Sequence, residues 1–345
     1  MTMKFGMGMA PVEPLKKVVS VAKLAEDLGF STVVHADQRF KGEKDVFVTL
    51  AADALNTTSV QLGPCVSDPF SRIPAMLAVA MASIDELSGG RAVLALGAGG
   101  SGFNEMHVER KQVNLALRES ITIIRELFSG ETVNFEGELY QLTGGKLRFD
   151  VRPDLPILLA TRSPKNLQLA GELADGAIIA TYASKEQLEY AVEHVRTGAE
   201  KAGRSTEDLR LISWVYTSIS DDGKQAVANV RPFVTQALVN TSPAAYPQIL
   251  KGFDDDVLNF LTECHDAGRA GRERAQADTT YLTDEVIQRF SVAGTAEDCI
   301  AKLKEIESFG INEVWLRCFS APYSESEHEK VIVPFAEKVM PSFTK

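Results

Sequence analysis

The sequence predicts an α/β protein folded as a (βα)8 barrel, the TIM-barrel architecture. Apolar segments of strand length alternate eight times with amphipathic segments of helical period along the 345 residues. Several of the strands are continuously apolar, as expected for a parallel sheet that helices cover on its outer face. No proline-rich or low-complexity linker divides the chain, so we expect a single domain over residues 1–345.

The first unit shows the pattern on which each predicted element rests. After the apolar segment 4–9, apolar side chains recur at helical spacing from Leu15 to Leu28, with Pro14 suited to the first turn and Gly29 to a C-terminal cap. The next three units repeat this pattern. We predict strands over 4–9, 32–37, 60–66 and 92–99, and helices over 14–28, 46–55, 73–87 and 115–128.

The second half of the chain supplies four more units and two insertions. The segment 131–150 alternates polar and apolar residues with period two, which predicts a β-hairpin insert. The segment 240–294 is a long, mostly helical insert before the eighth unit. We predict strands over 156–161, 176–182, 209–220 and 312–319, and helices over 164–173, 186–201, 225–238 and 330–339.

Composition excludes several classes of function. The formal net charge of −11 repels phosphate backbones, so nucleic acid is not an expected partner. No apolar run approaches the roughly 18 residues of a membrane span, and the N-terminus lacks the apolar core of a secretory signal. We therefore expect a cytoplasmic protein that acts on a small molecule. No metal is expected, because no CxxC pair occurs among the cysteines, which are Cys65, Cys264, Cys299 and Cys318.

The segment HADQRF, residues 35–40, places four polar side chains at the end of a buried strand. In barrels of this class the chemistry lies where strands end and the following loops begin. By period two, His35 and Asp37 point to one face and Gln38 to the other. Asp37 is the first catalytic candidate, and the alternative is an acid that only caps the loop or pairs with Arg39.

The run from Gly97 to Gly102 satisfies the GxGxxG pattern, but the sequence around it does not fit a dinucleotide fingerprint. That motif needs a helix directly after the loop and an acidic residue at the end of the next strand. Here the segment FNEMHVERKQ intervenes before the helix, and position 119 lies inside that helix. We interpret Gly97 and Gly99 as positions where a flat ligand lies against backbone, with a plain flexible loop as the alternative.

A helix start follows the predicted strand 156–161. Ser163 precedes Pro164 there, and the free backbone N–H groups of such a helix start favour an anion such as phosphate. Arg162 could add positive charge. An ordinary serine N-cap with proline in the first turn is the alternative.

The segment LGPCVSDPFSR, residues 62–72, begins as a buried strand and ends in a turn rich in proline, aspartate and arginine. Together with the residues up to 105, it resembles the core of the bacterial luciferase-like flavin oxidoreductases. It resembles in particular the branch of methylenetetrahydromethanopterin reductases that use coenzyme F420. HADQRF and the segment 163–179 resemble the same branch, so the similarity covers residues 3–182 and extends more weakly to the C-terminus.

The resemblance implies how a cofactor would be bound. It implies a non-proline cis peptide bond between Cys65 and Val66, which sets backbone against one face of the deazaflavin ring. It also implies Asp37 near the ring edge and Asn104 in contact with the ring. The phosphate-bearing tail is implied near five residues, namely Thr161, Arg162, Ser163, Gly176 and Ala177.

Two departures from the family pattern concern the proton donor. Several family members have a histidine after the aspartate of the second strand and an acid after the first glycines of the fourth-strand loop. These positions hold Gln38 and Gly100 here. Glu105, His107 or His35 would therefore have to donate the proton.

The resemblance implies an oxidoreductase that transfers a hydride from reduced F420 to a C=C, C=N or C=O bond of a small organic substrate. An FMN-dependent monooxygenase that uses reduced flavin and molecular oxygen is the first alternative. A non-catalytic flavin-binding protein is the second, because the expected histidine and acid are absent. Family barrels usually dimerise, and the apolar helix faces that carry Met76, Val79, Met81 and Ile84 agree with a homodimer.

Overall fold

The computed structural model describes residues 3–40, 42–180, 183–241, 246–247, 249–278, 281–321 and 327–343. Its strands are β1 Lys4–Met9, β2 Thr32–His35, β3 Gln61–Pro64, β4 Leu94–Leu96, β5 Val133–Glu136, β6 Gln141–Gly145, β7 Ile157–Thr161, β8 Gly176–Ala180, β9 Arg210–Ile219, β10 Ser291–Gly294 and β11 Glu313–Cys318. Its α-helices are α1 Leu15–Asp27, α2 Val46–Asn56, α3 Pro74–Ser88, α4 Val113–Phe128, α5 Pro164–Leu173, α6 Lys185–Lys201, α7 Gly223–Val239, α8 Asp255–Asp266, α9 Gly268–Ala277, α10 Asp284–Arg289, α11 Ala296–Ser308 and α12 Glu329–Lys338.

The predicted eight-stranded parallel barrel is confirmed. The strands of the main sheet follow the order β3-β2-β1-β11-β9-β8-β7-β4. Parallel bridges from Leu62 to Ala92 and from Ser67 to Leu96 join the two ends of this order. All eight predicted strands are present, most with shorter ends, and residues 181–182 of the sixth lie outside the described residues.

The described residues group into two compact units. The first contains residues 4–178 and 193–212, and the second contains residue 3, residues 179–192 and the chain from 213 onward. A single domain over residues 1–345 stays a prediction.

In the first unit, the glycine of LGPC marks a close approach between two strands. A Cβ atom at Gly63 would lie 1.9 Å from the carbonyl oxygen of Val93, a distance that no other residue could accept. The Val93 N–H donates to the Leu62 oxygen at 2.9 Å. Strand β3 and the chain that leads into β4 are therefore held side by side.

The predicted hairpin insert is also confirmed, as the antiparallel pair β5 and β6. Glu119 of α4 is buried, and its carboxylate accepts the backbone N–H groups of Glu138, Leu139 and Tyr140 at 2.8 to 3.1 Å. The Tyr140 hydroxyl donates to the Pro69 oxygen at 2.9 Å. Burial, with the negative charges of Asp68 and Glu119, raises the pKa of Tyr140 to about 12. The hairpin tip is thus attached to the loop after β3.

The helical insert belongs to the second unit and is only partly as predicted. Its described residues form α8, α9 and α10, while 242–245, 248 and 279–280 lie outside the described residues. The insert also contains a strand, β10, which pairs in parallel with β9. Helix α11 follows and was not predicted, although Thr295 and Asp298 form the capping box that marks its start.

Two further properties concern the described ranges of the chain, namely membrane spans and metal ligands. No helix in these ranges is long and apolar enough to cross a bilayer. Within the same residues, no group of three or more histidine, cysteine or acidic side chains is arranged to hold a metal ion.

Candidate active site

Asp37 lies two residues after the end of β2, at the carboxyl end of the barrel, and is 3% exposed. Its carboxylate accepts hydrogen bonds from Ser67 Oγ at 2.7 Å and from Arg39 Nη2 at 3.2 Å. Arg72 donates to both of its oxygens, from Nε at 2.8 Å and from Nη2 at 3.1 Å. All of these partners are donors, so Asp37 acts as an acceptor in charge-assisted hydrogen bonds. The pairing with Arg39 that was the alternative for Asp37 is present, and Arg72 extends it.

Arg72 connects three segments of chain. Besides Asp37 it binds the carboxylate of Asp45 at 2.7 Å, and Asp45 caps α2 through the N–H groups of Phe47 and Val48. Burial alone would lower the pKa of Arg72, but the hydrogen bonds and charges of Asp37 and Asp45 raise it. Burial alone would raise the pKa of Asp45. The hydrogen bond and charge of Arg72, with the backbone hydrogen bonds of Val48 and Phe47, outweigh burial and lower this pKa. Arg72 therefore joins the loop after β2 and the start of α2 to the loop after β3.

A second buried acid, Asp68, completes the arrangement. It is fully buried, and its Oδ1 accepts the N–H groups of Phe70 at 3.0 Å and Ser71 at 2.7 Å. Arg39 Nη1 forms an ion pair with Asp68 Oδ2 at 3.0 Å. We call the side chains of Asp37, Arg39, Ser67, Asp68, Ser71 and Arg72 the loop network.

The peptide bond between Cys65 and Val66 is cis, as the resemblance implied. The Cys65 N–H donates to the His35 oxygen at 2.7 Å, which extends the pairing of β2 and β3 by one residue. A Cβ atom at Gly97 would lie 2.9 Å from Val66 Cγ2. Gly97 therefore leaves room for the half-buried side chain of Val66.

The glycine loop after β4 is fixed to the loop after β2. Ser101 Oγ accepts the N–H of Arg39 at 3.2 Å and donates to its carbonyl oxygen at 3.3 Å. Gly99 and Gly102 have φ angles of 76° and 84°, where L side chains are strained. A Cβ atom at Gly99 would also lie 2.5 Å from the Phe103 ring. These contacts argue against the alternative of a plain flexible loop.

Asn104 and Glu105 lie on an exposed turn after this loop. The turn is closed by the N–H of Met106, which donates to the Gly102 oxygen at 3.1 Å, and His107 within it has a φ of 53°. Neither Asn104 nor Glu105 has a side-chain hydrogen bond among the residues that the structure describes. The structure therefore places both beside the glycine loop but not in the loop network.

His35 is placed differently from the prediction. It ends β2, is fully buried, and its Nε2 lies 2.5 Å from Oδ2 of Asp53 in α2. The strand stops before Asp37, so the period-two argument does not reach Asp37. The predicted common face is wrong, because His35 contacts a helix while Asp37 contacts Ser67, Arg39 and Arg72.

Thr161 and Ser163 lie together at the carboxyl end of β7. The Ser163 N–H donates to Thr161 Oγ1 at 3.1 Å, and Ser163 occupies the N-cap position of α5. Its side chain makes no cap hydrogen bond, so the hydroxyl does not perform the structural role of the N-cap alternative. Arg162 lies between them and is half-buried.

Gly176 and Ala177 do not join this group, which corrects the prediction that they do. They begin β8, and the preceding Asp175 N–H donates to the oxygen of Ile157, the first residue of β7. Thr161 ends β7 four residues later, about 13 Å away at strand rise. Gly176 serves packing instead, since a Cβ atom there would lie 2.2 Å from the Arg210 oxygen.

The roles of four residues of the loop network were not predicted from the sequence, namely Ser67, Asp68, Ser71 and Arg72. The segment DPFS contains a signal for Asp68, because an aspartate two and three residues before free N–H groups forms a local turn. No local signal pairs Arg72 with Asp37, since 35 residues separate them.

The glycine loop and the buried ionic network thus lie at the carboxyl ends of the strands, where the active sites of barrel enzymes are found. The model of the luciferase-like monooxygenase family matches residues 1–313, so the chain belongs to this family. It is 33% identical over 320 residues to a 5,10-methylenetetrahydromethanopterin reductase of Methanolobus tindarius, covering 90% of this chain and 93% of the relative. The predicted family and branch are confirmed, and the chain is an oxidoreductase.

Two further comparisons agree. The chain is 27% identical over 340 residues to an F420-dependent glucose-6-phosphate dehydrogenase of Amycolatopsis mediterranei, covering 94% of each. The solved structure of the coenzyme F420-dependent tetrahydromethanopterin reductase of Methanopyrus kandleri superposes with a TM-score of 0.86 at 22% identity over 100% of both chains. At that identity the superposition supports the fold.

Proposed function

We propose that the chain transfers a hydride from reduced coenzyme F420 to a small organic substrate with a C=C, C=N or C=O bond. The observation that carries the proposal is the 33% identity to a reductase over 90% of the chain. The F420-dependent dehydrogenase at 27% identity supports the choice of cofactor. Both relatives align with the part of the chain that forms the loop network.

The residues at the carboxyl end of the barrel fit such a cofactor. The half-buried Val66, whose side chain packs against Gly97, offers a small apolar surface to a flat ring. At the start of α5, the free N–H groups and the Ser163 hydroxyl, which makes no cap bond, suit a phosphate. We propose Cys65, Val66, Gly97, Gly99 and Asn104 for the ring, and Thr161, Arg162 and Ser163 for the tail.

The residues of this chain would have separate roles in the reaction. Bound reduced F420 would supply the hydride. Asp37 would position the loops around the ring, because its carboxylate oxygens accept hydrogen bonds from Ser67, Arg39 and Arg72. Glu105 is the proposed proton donor, since its exposed carboxyl group is free to approach a substrate. His35, buried against Asp53, would support the strand end beneath Cys65.

An FMN-dependent monooxygenase is the second candidate, which the matching family model favours by its description. The non-catalytic alternative was based on Gln38 and Gly100, and it is set aside because the chain belongs to a family of oxidoreductases. Oxygen consumption distinguishes the F420-dependent reductase from the FMN-dependent monooxygenase, because only the monooxygenase consumes molecular oxygen together with reduced flavin. Titration of the purified chain with F420 and with FMN, followed by oxygen uptake with each reduced cofactor, therefore tests the proposal. Tight FMN binding with substrate-dependent oxygen uptake would replace it.

We also propose a homodimer formed through α2 and α3. Four large apolar side chains on these helices are exposed, with Leu55 at 70% and Met76 at 57%. Neither helix contains a lysine or arginine, and a two-fold axis lets an apolar surface meet itself. Met81 and Ile84 are buried and belong to the core instead. We call Val48, Leu55, Met76 and Leu87 the apolar face. A cytoplasmic location stays a prediction.

A further inference from the structure

Gln38 lies between Asp37 and Arg39, whose side chains form hydrogen bonds and ion pairs in the loop network. The side chain of Gln38 takes no part in this network. It lies in the loop after β2 and is half-buried. Within the described ranges, its carboxamide has no hydrogen-bond partner. On one side, the Asp37 carboxylate accepts hydrogen bonds from Ser67, Arg39 and Arg72.

On the other side the backbone is held as well. The N–H and carbonyl oxygen of Arg39 both bind Ser101 Oγ, and its guanidinium binds Asp37 and Asp68. Gln38 therefore projects from a fixed piece of backbone. A group whose backbone is fixed before binding loses less conformational entropy when a ligand arrives.

The chemistry of the carboxamide defines what it could bind. Glutamine has two N–H donors on Nε2 and an acceptor on Oε1, and the side chain carries no charge. One ligand edge that presents a donor beside an acceptor satisfies both atoms at once, as glutamine does with the edge of adenine. We propose that Gln38 binds the lactam edge, an N–H beside a C=O, of a planar heterocycle. This inference rests on the proposed function, which brings such a ring to this end of the barrel.

Gly100 lies beside the Gln38 carboxamide, with room for one methyl group between them. A Cβ atom there would lie 3.7 Å from Gln38 Cγ and 3.8 Å from Nε2, which is ordinary van der Waals contact. Gly100→Ala would therefore add a methyl group beside the carboxamide without displacing it. Gly99 and Gly102 could not serve this purpose, because their φ angles are positive and their Cβ atoms would clash.

Two ligands could supply the lactam edge. One is the ring of the cofactor, and F420 and FMN both carry this edge. The other is a substrate of the pterin type, such as the one named for the reductase at 33% identity. The experiment below separates them.

The test compares Gln38→Leu, which removes both hydrogen-bonding atoms, with Gln38→Glu, which keeps the shape but replaces the donor. F420 and FMN are titrated into each variant, and KM is measured with methylenetetrahydromethanopterin. Loss of a bidentate contact should weaken binding by about 10-fold or more. The thermal midpoint should not change, because the side chain makes no described contact that stabilises the fold. Gln141→Leu, in an exposed strand of the hairpin, is the matched control.

The outcomes are distinct. A weaker Kd for F420 or FMN assigns the edge to the cofactor, and a raised KM with unchanged cofactor Kd assigns it to the substrate. Gly100→Ala should weaken binding of the same probe, because its methyl group would occupy space beside the Gln38 carboxamide that the ligand edge needs. If both Gln38 variants bind every probe as the wild type does, the inference is overturned. A wild-type chain that binds neither F420 nor FMN would instead overturn the proposed function, and the inference with it.

Discussion

At the residue scale, the site is organised around acceptors that are already occupied. Asp37 and Asp68 are buried. Each forms an ion pair with an arginine and accepts hydrogen bonds from hydroxyl or amide groups. A buried carboxylate that loses a charged partner destabilises the protein strongly, so such a network fixes the loops that carry it. The sequence pointed to Asp37 because the segment 32–37 was predicted as a buried strand, although β2 stops at His35. The partner of Asp37, Arg72, could not be predicted, since their contact depends on where two separate loops meet.

Ser163 provides the prediction at this scale. Its hydroxyl makes no cap hydrogen bond, so Ser163→Ala should leave the thermal midpoint unchanged. Loss of a hydrogen bond to the cofactor phosphate should weaken F420 binding by about 1–2 kcal/mol. Titration and thermal unfolding of the same samples measure both quantities.

A second N-cap supplies the control for Ser163. Thr295 accepts the N–H of Asp298 in a capping box, so Thr295→Ala should lower stability by about 1 kcal/mol and leave F420 affinity unchanged. If Ser163→Ala instead lowers stability like Thr295→Ala and binds F420 normally, Ser163 is an ordinary N-cap.

At the scale of elements, Glu26 ties helix α1 to the chain before β3. Its Oε1 accepts the N–H groups of Thr58 at 2.8 Å, Ser59 at 2.5 Å and Val60 at 3.2 Å. Burial opposes the shift, but these hydrogen bonds lower the pKa of Glu26 from 4.5 to about 2. The folded state therefore favours the ionised form more than the unfolded state does.

The pH dependence of stability follows from this shift. The contribution of Glu26 is present in full above its ordinary pKa of 4.5 and is lost as the pH falls toward 2. Glu26→Gln should therefore lower the free energy of unfolding at neutral pH and flatten its decline between these values. Urea unfolding across this range measures the effect, with Glu200→Gln on the exposed surface of α6 as the control. Parallel pH profiles for wild type and Glu26→Gln would contradict the account.

The interiors of elements could be predicted better than their ends and junctions. Periodicity identified α5 and the hairpin because their patterns are long and regular. Strand β10 has four residues, too few for a period, and α11 was missed although its capping box is visible in the sequence. The resemblance implied that Gly176 lies near the phosphate-bearing tail, but Gly176 begins β8, whereas Thr161 ends β7.

At the scale of the whole molecule, the alternation of eight strands and helices was sufficient for the fold. It depends on a long-range regularity that many residues share, so no single misjudged residue could remove it. The partner contacts of the site depend on individual side chains and on loop geometry, which a single sequence does not encode in any local pattern. Substrate identity depends on such contacts too.

The apolar face carries the prediction at this scale. Sedimentation should give a mass of twice 37.6 kDa for the wild type. Met76→Glu should produce monomers, because it places a charge in the apolar contact, while Tyr281→Glu, 42% exposed in the second unit, should not. A wild-type monomer at micromolar concentration would exclude the proposed dimer.

The central claim is that reduced F420 is the hydride donor. The most direct measurement is a turnover assay, run with and without oxygen, in which reduced F420 is mixed with the chain and methylenetetrahydromethanopterin, and the absorbance of oxidised F420 is followed. The account predicts that oxidised F420 forms only when the chain and an acceptor are both present, at an equal rate with and without oxygen. Oxidation that requires oxygen and proceeds only with reduced FMN would contradict it.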